Sequence, residues 1–239
     1  MNFRKIKILI VDDSDIMLKI MNEYFRVYDV IIATSINGLD GIKKAKEIKP
    51  DLILLDLLMP NFDGLKMLQV VKLLDELKHI PVIVISANTD KANVLSAIEA
   101  GADQVLAKPV KKDILISAVE KAIGTAMNFK PDMGDEIIEE TDGELKEHLI
   151  KSFVEKFNSE KLSLDDFLLN KNINELKSFA HNSRSISQSI GHPQLLNVNT
   201  EIEYLLGKPV VNWQLIKIKF NQVFAIIKDI ENSLAIWKN

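Results

Sequence analysis

Five polar residues in the first half of the chain could form one reactive site, since each follows a short apolar run. They are Asp12 and Asp13 after IKILIV, Asp56 after LILL, Ser86 after VIVI and Lys108 after QVLA. Runs of this length, rich in Leu or β-branched residues and closed by polar ones, indicate buried parallel strands. Ligands of open α/β sheets bind at the carboxyl ends of the strands, so we expect these side chains to converge there.

This convergence has a chemical consequence, because three carboxylates in a poorly solvated pocket repel one another strongly. The set therefore predicts a bound divalent cation, with Lys108 supplying further positive charge. Taken singly, the same residues have simpler explanations. Asp12 and Asp13 could cap the first helix, and Lys108 could be a solvated residue at a strand end.

Strand and helix patterns alternate through residue 126, which predicts a doubly wound parallel sheet. The predicted strands lie near 6–11, 30–33, 52–55, 82–86 and 104–107. The predicted helices lie near 15–27, 38–48, 65–77, 91–100 and 111–126. Ser14 is placed to cap the first of these helices.

The ordered motifs over residues 5–126 resemble the receiver domain of two-component response regulators. Besides the Asp12-Asp13 pair, they are DLLMPNFDG at 56–64, Ser86-Ala87, GAD at 101–103 and Lys108-Pro109. The resemblance implies a flavodoxin-like fold with a doubly wound, five-stranded parallel sheet.

The resemblance also implies roles for the polar set. Asp56 would be the phosphoacceptor and form an acyl phosphate, Ser86 would hydrogen-bond one phosphoryl oxygen, and Lys108 would pair with another. A Mg²⁺ ion would be held by Asp12 (mainly through water), Asp13, Asp56 and the backbone carbonyl of Leu58. One residue departs from the family pattern: Val105 stands where an aromatic residue usually takes part in the activation switch.

The pattern changes near residue 128. The turn-rich NFKPDMGDE stretch predicts a linker at 128–136, between a receiver domain at 1–127 and a helical bundle at 137–239. Helices are predicted near 136–157, 160–169, 173–190, 193–206 and 211–236, with the clearest breaks at Gly191-His192-Pro193 and Gly207-Lys208-Pro209.

His181 is the chemically notable residue of the second domain. On a helical wheel, an apolar stripe is formed by Leu176, Phe179, Ser183, Ile186 and Ile190. His181 points away from this stripe, with Arg184, Ser185 and Gln188 around it, so we expect it on an exposed polar face. Without the family pattern, a solvated helix face that happens to hold a histidine is the better explanation.

Residues 173–206 resemble a divergent histidine-containing phosphotransfer (HPt) domain. The matching residues are Ala180-His181, Gly191 and Ile202-Glu203, while Arg184 replaces the usual Lys and Ser185 the usual Gly. The resemblance implies that His181 accepts a phosphoryl group and that Arg184 contacts it. Ser185 adds a side chain where a partner receiver would approach.

Composition excludes several function classes. The net charge is −4, and the whole acidic excess lies in residues 135–239, which argues against a nucleic-acid-binding output domain. The absence of cysteine excludes disulfides and thiolate zinc sites and fits a reducing cytoplasm. No apolar run approaches the length of a membrane span.

Two functions follow from these patterns. The first is a cytoplasmic phosphorelay protein, phosphorylated on Asp56 by a separate sensor histidine kinase, whose His181 exchanges phosphoryl groups with Asp56 or with another receiver domain. Such a protein is not an enzyme beyond its own Mg²⁺-dependent phosphorylation and dephosphorylation. In the alternative, the HPt-like domain carries no phosphoryl group and instead binds a partner or self-associates under the control of Asp56.

Overall fold

The computed structural model describes residues 4–59, 64–86, 91–130 and 142–236. The chain divides into two compact units, Met1–Glu139 and Glu140–Asn239. Some predicted features fall outside the described residues, namely Pro60 to Asp63, Ala87 and positions 131–136 of the linker. Within the described part of the chain, no helix is both long enough and apolar enough to cross a membrane.

The first unit alternates five strands with five helices. The strands are β1 Ile6–Val11, β2 Val30–Ser35, β3 Leu52–Asp56, β4 Val82–Ser86 and β5 Gln104–Ala107. The helices are α1 Asp15–Tyr24, α2 Gly38–Ile48, α3 Gly64–Leu73, α4 Lys91–Glu99 and α5 Lys112–Ile123. All strand pairs are parallel, in the order β2-β1-β3-β4-β5, which confirms the predicted doubly wound sheet.

The central strands are buried on both faces, as their continuous apolar runs predict. Every residue of β3 and β4 is buried, and the sheet packs on helix residues such as Met67, Leu68 and Val71 of α3. This burial makes the register of the strands rigid and fixes the positions of the residues at their carboxyl ends.

Helix ends in this unit differ from the predicted ones by a few residues. The first helix begins as expected, because the Ser14 hydroxyl accepts a hydrogen bond from the Met17 backbone N–H. It ends at Tyr24 rather than at residue 27, with Phe25 as its C-cap. The fifth helix ends at Ile123, where Gly124 adopts the left-handed conformation (φ 72°) that a glycine tolerates at a helix terminus.

The second unit is entirely helical in its described part. It contains α6 Asp142–Leu169, α7 Ile173–Ser189, α8 Pro193–Leu206 and α9 Trp213–Ile236. Successive helices pack on one another, and α9 also packs on α6. The core between them is aromatic, with Phe157 in contact with both Phe179 and Phe224.

The prediction of two helices over 136–157 and 160–169 is wrong, since α6 runs without a break from Asp142 to Leu169. The predicted gap falls at Asn158-Ser159. Ser159 instead donates its hydroxyl to the Lys156 carbonyl inside the helix. No Pro or Gly stands between 157 and 160 to end a helix there.

Candidate phosphoryl-transfer sites

Four neighbouring strands deliver the predicted reactive residues to one edge of the sheet. Asp12 follows β1, Asp56 ends β3, Ser86 ends β4 and Lys108 follows β5. These strands are adjacent in the order β1-β3-β4-β5. The site therefore lies at the point where the strand order changes direction, as ligand sites of open α/β sheets do.

Lys108 is the centre of the charged cluster. Its Nζ donates to Asp12 Oδ2 and to Asp56 Oδ2, each at 2.8 Å. The Lys108 and Asp56 residues are each 3 % exposed, and Asp12 is fully buried. Ions this deeply buried are strongly coupled, because little solvent screens them. Lys108 thus places one positive charge in contact with both carboxyl groups.

The pKa values of the cluster reflect this competition. Burial raises the pKa of the Asp12 carboxyl above its ordinary value, against the opposing effect of Lys108, and the nearby Asp56 carboxylate raises it further. Burial alone would lower the pKa of the Lys108 ammonium. The two carboxylates outweigh burial and raise that pKa, so Lys108 stays charged.

The carboxylate oxygens have defined partners. Asp12 Oδ1 accepts a hydrogen bond from the Ser14 N–H at 2.9 Å. Because Asp12 Oδ2 accepts from Lys108, both oxygens of the Asp12 carboxyl group have a partner. Asp56 Oδ1 accepts from the Leu58 N–H at 3.1 Å. Carboxylate oxygens of Asp13 and Asp56 lie within 4.8 Å of each other. This pair fits Mg²⁺, which takes oxygen ligands about 2.1 Å from the ion, whereas Asp12 is better placed to act through water.

Gly64 is required by the close approach of α3 to the end of β3. Its N–H donates to the Leu57 carbonyl at 2.9 Å. A Cβ at position 64 would lie 1.9 Å from the Asp56 carbonyl oxygen and 2.7 Å from Leu57 Cα. Because both atoms are backbone, no side-chain rotation relieves this clash. Gly64 is therefore a condition for the position of Asp56.

The remaining predicted residues lie on β4 and β5. Ser86 is 1 % exposed, and its carbonyl accepts from the Lys108 N–H at 2.9 Å, which ties the two strand ends together. Val105 pairs with Val84 in the sheet and packs, partly buried, against the core. The position where the family usually has an aromatic residue is thus part of the apolar interior.

A second polar cluster lies in the helical unit. His181 Nδ1 lies 2.9 Å from Glu203 Oε1, and Arg184 Nε lies 2.9 Å from Glu203 Oε2. The Glu203 carboxylate therefore bridges His181 and Arg184, binding them from the facing helix α8. The distance between Arg184 Nε and Glu203 Oε2 is that of an ion pair, but the two groups do not have the geometry of a hydrogen bond.

The face around His181 is less exposed than the helical wheel predicts. The side chains of His181 and Arg184 are 14 % and 16 % exposed, and Ser185 is buried. Within its own unit, α7 packs against both α6 and α8. The prediction that His181 lies outside the apolar stripe is correct, but its wide exposure is not observed.

Glu203 was not identified from the sequence as a partner of His181. The signal for it is the turn at Gly191-His192, where the helix pair reverses. Residues equally distant from such a turn face each other in antiparallel helices, and 181 and 203 are nearly symmetric about 192. His192 is itself the N-cap of α8, since its Nδ1 accepts from the Leu195 N–H.

Comparison with known proteins assigns the first unit. The family model for the response regulator receiver domain matches residues 8–120. The chain is 36 % identical over 118 residues to chemotaxis protein CheY of Listeria monocytogenes, covering 49 % of this chain and 98 % of that protein.

Two further similar proteins are a curated relative and a solved structure. A protein-glutamate methylesterase/protein-glutamine glutaminase of Methanosarcina barkeri is 33 % identical over 202 residues, which span 80 % of this chain and half of that protein. The solved structure of the response regulator domain of Thermotoga maritima CheB is 27 % identical, with a TM-score of 0.46. The superposed residues make up 51 % of this chain and 98 % of that domain. The matching names include an enzyme, so family membership alone does not exclude enzymatic activity.

Proposed function

Because the chain belongs, through residues 8–120, to the response regulator receiver family, we propose that it is a two-component signalling protein that accepts a phosphoryl group on Asp56. The observation that supports this most directly is the double contact of Lys108 with Asp12 and Asp56 at the carboxyl edge of the sheet. It places a positive charge beside the carboxylate that would act as the nucleophile.

The proposed step is an in-line displacement at phosphorus. A carboxylate oxygen of Asp56 forms the new P–O bond. At the same time the bond from phosphorus to the leaving group breaks, and the leaving group keeps the electron pair. The leaving group is the imidazole of a separate histidine kinase or the carboxylate of a small acyl phosphate. Lys108 pairs with the negative charge on the phosphoryl oxygens, and the Ser86 hydroxyl donates to another of them. The product is an acyl phosphate on Asp56.

Receiver domains bind Mg²⁺ at this acidic edge, and the oxygens of Asp13 and Asp56 fit such an ion here. We assign Asp13, Asp56 and the Leu58 backbone carbonyl as its ligands, with Asp12 in contact through water. When bound, the ion supplies positive charge that offsets the charge of the carboxylates and the incoming phosphoryl group.

The test is phosphorylation of the full chain by acetyl phosphate with Mg²⁺, followed by phosphate-affinity electrophoresis and intact mass. Wild type should gain one phosphoryl group, and Asp56→Ala should gain none. Asp75→Ala removes a carboxylate that is 93 % exposed and should behave as wild type. Undiminished phosphorylation of Asp56→Ala would refute the assignment.

We also propose that the helical unit is an HPt-like domain in which His181 carries the phosphoryl group. Support comes from Glu203, whose carboxylate accepts from His181 Nδ1–H and so places the nucleophilic lone pair of the imidazole on Nε2. The same carboxylate stabilises the positive charge that the ring gains when it is phosphorylated. The partners are then a histidine kinase and a receiver domain, either this one or another.

Mixing two variants tests this exchange. Asp56→Ala keeps His181 and His181→Gln keeps Asp56, so neither alone completes a relay. His181→Gln, charged by acetyl phosphate, should transfer its label to Asp56→Ala when the two are mixed. The transferred label should be lost in acid but survive alkali, as phosphohistidine does, whereas alkali hydrolyses an acyl phosphate. No transfer in the mixture or within the wild-type chain would refute the role of His181.

A second function is supported by Arg184 and Ser185. The Arg184 guanidinium already contacts Glu203, and Ser185 replaces the usual glycine. Both features favour a helical unit that binds a partner or self-associates without carrying phosphoryl. In that case beryllofluoride, which mimics the acyl phosphate of Asp56, changes the mass measured by light scattering while no label reaches His181. Unchanged mass and partner affinity would exclude it.

A further inference from the structure

The contact between α7 and α8 contains a buried polar pair close to the apolar residues that α8 buries. Asn199 is fully buried, and Ser183 is 1 % exposed. The Asn199 amide donates one hydrogen bond to Ser183 Oγ at 2.8 Å and another to the Leu195 carbonyl at 2.9 Å. The first of these bonds links the two helices, so it depends on how α8 is rotated and placed against α7.

Stability alone does not account for an asparagine at this position. Among the residues that the structure describes, no donor bonds Asn199 Oδ1. A buried acceptor without a donor costs free energy, whereas a leucine has the same branched shape and brings no polar atom of its own. Buried amides of this kind are known to fix the alignment of helices at the expense of stability.

The alignment of α8 against α7 determines the position of Glu203. This residue lies four positions, or about one helical turn, beyond Asn199 on nearly the same side of α8. The other residues that α8 buries are Leu195, Ile202 and Leu206. Apolar contacts such as these are non-directional and tolerate a small rotation or shift of the helix. The directional bond from Asn199 to Ser183 does not tolerate such a movement.

We propose that Asn199 and Ser183 are positioning residues that align α8 against α7 and thereby hold Glu203 in contact with His181. This inference rests on the proposed role of His181 as a phosphoryl acceptor. Neither residue touches the phosphoryl group. Their effect passes through the His181 Nδ1 to Glu203 contact, which sets the ring nitrogen that carries the proton.

The experiment measures the imidazole ¹⁵N chemical shifts of the full chain, which report the tautomer directly. The chain has four histidines, so His181 is assigned by its loss in His181→Gln. Glu203→Gln supplies the spectrum of a ring without its carboxylate partner. Asn199→Leu and Ser183→Ala should both move the His181 shifts toward that spectrum. Thr200→Val, an exposed neighbour of Asn199, should leave them unchanged.

The same variants are then tested for stability and transfer. Asn199→Leu should unfold at or above the wild-type temperature, and its phosphoryl transfer to His181 should fall about tenfold or more, because misplacement by about 1 Å can cost that much. Ser183→Ala removes a single oxygen and so disturbs the fold less. It therefore provides the test of the alignment if Asn199→Leu does not fold. Wild-type His181 shifts in a folded variant of either residue overturn the proposal.

The two readouts separate this inference from the proposed function. The nitrogen shifts need no phosphoryl group, so they test the alignment even if wild type transfers nothing to His181. Transfer in wild type combined with unchanged shifts in Asn199→Leu would refute the alignment alone. Changed shifts combined with no transfer in wild type would support the alignment and refute the phosphoryl role.

Discussion

Lys108 Nζ and Asp56 Oδ2 lie 2.8 Å apart, although 52 residues separate them in the sequence. Both groups are almost completely buried, and the Lys108 N–H also bonds the Ser86 carbonyl on the neighbouring strand. The position of the ammonium is therefore set by the sheet, and the charge of Asp56 is balanced before any phosphoryl donor or metal ion arrives.

Removing this ammonium should destabilise the first unit. Lys108→Met leaves Asp12 and Asp56 buried without their partner, a change that typically costs about 3–5 kcal/mol. The variant should also bind Mg²⁺ more tightly, since a repelling positive charge is gone. Both tryptophans lie in the second unit, so unfolding of the first is best followed by hydrogen exchange of the β1 and β3 amides. Lys111→Met, an exposed neighbour, is the control and should change neither property.

The pKa of Asp12 predicts how stability depends on pH. Because this pKa is raised in the folded protein, the folded state binds the proton more tightly than the unfolded one. The stabilisation is complete below the ordinary value of 3.8 and is lost as pH rises through the folded pKa. In the absence of Mg²⁺, Asp12→Asn should thus be more stable than wild type at pH 7, with a difference that shrinks toward pH 4. Exchange of the β1 amides at both pH values measures this, and a less stable variant at pH 7 would contradict it.

Gly64→Ala should disable the first site without removing any charged group. The added methyl group meets the backbone of Asp56 and Leu57, so α3 or the end of β3 must move. We expect a loss of about 1–3 kcal/mol and strongly reduced phosphorylation by acetyl phosphate. Gly207→Ala adds the same methyl group where its nearest neighbours are 3.4 Å away and should be neutral. Normal phosphorylation of Gly64→Ala would show that Asp56 tolerates the movement.

Strand positions in the first unit could be predicted from the sequence because burial on both faces leaves a simple signal. Runs such as LILL and VIVI have no polar interruption, and polar residues mark their ends. Once the strands are parallel, topology brings their carboxyl ends together. The convergence of Asp56 and Lys108 then follows without knowledge of side-chain conformations. The contact distances and the pKa changes required the structure.

Predictions for the helical unit were less complete for a physical reason. Helix periodicity shows which face of a helix is apolar, but not which residues of a second helix lie opposite. The sequence therefore placed His181 off the core and missed Glu203, which reaches it from α8. Polar residues inside a helix are also poor boundary markers, as the unbroken course of α6 through Asn158-Ser159 shows.

The segment after α5 offers a last prediction, about where the first unit ends. The sequence places the linker from residue 128, yet the Asp29 N–H donates to the Asn128 carbonyl at 2.7 Å, and the rings of Tyr28 and Phe129 stack with centroids 5.1 Å apart. Phe129→Ala should cost about 1 kcal/mol, the usual contribution of an aromatic pair, and should accelerate exchange of the Asp29 amide. Leu39→Ala, at a side chain that is also exposed, should leave that amide unchanged. Wild-type exchange in Phe129→Ala would instead assign residues 128–130 to the linker.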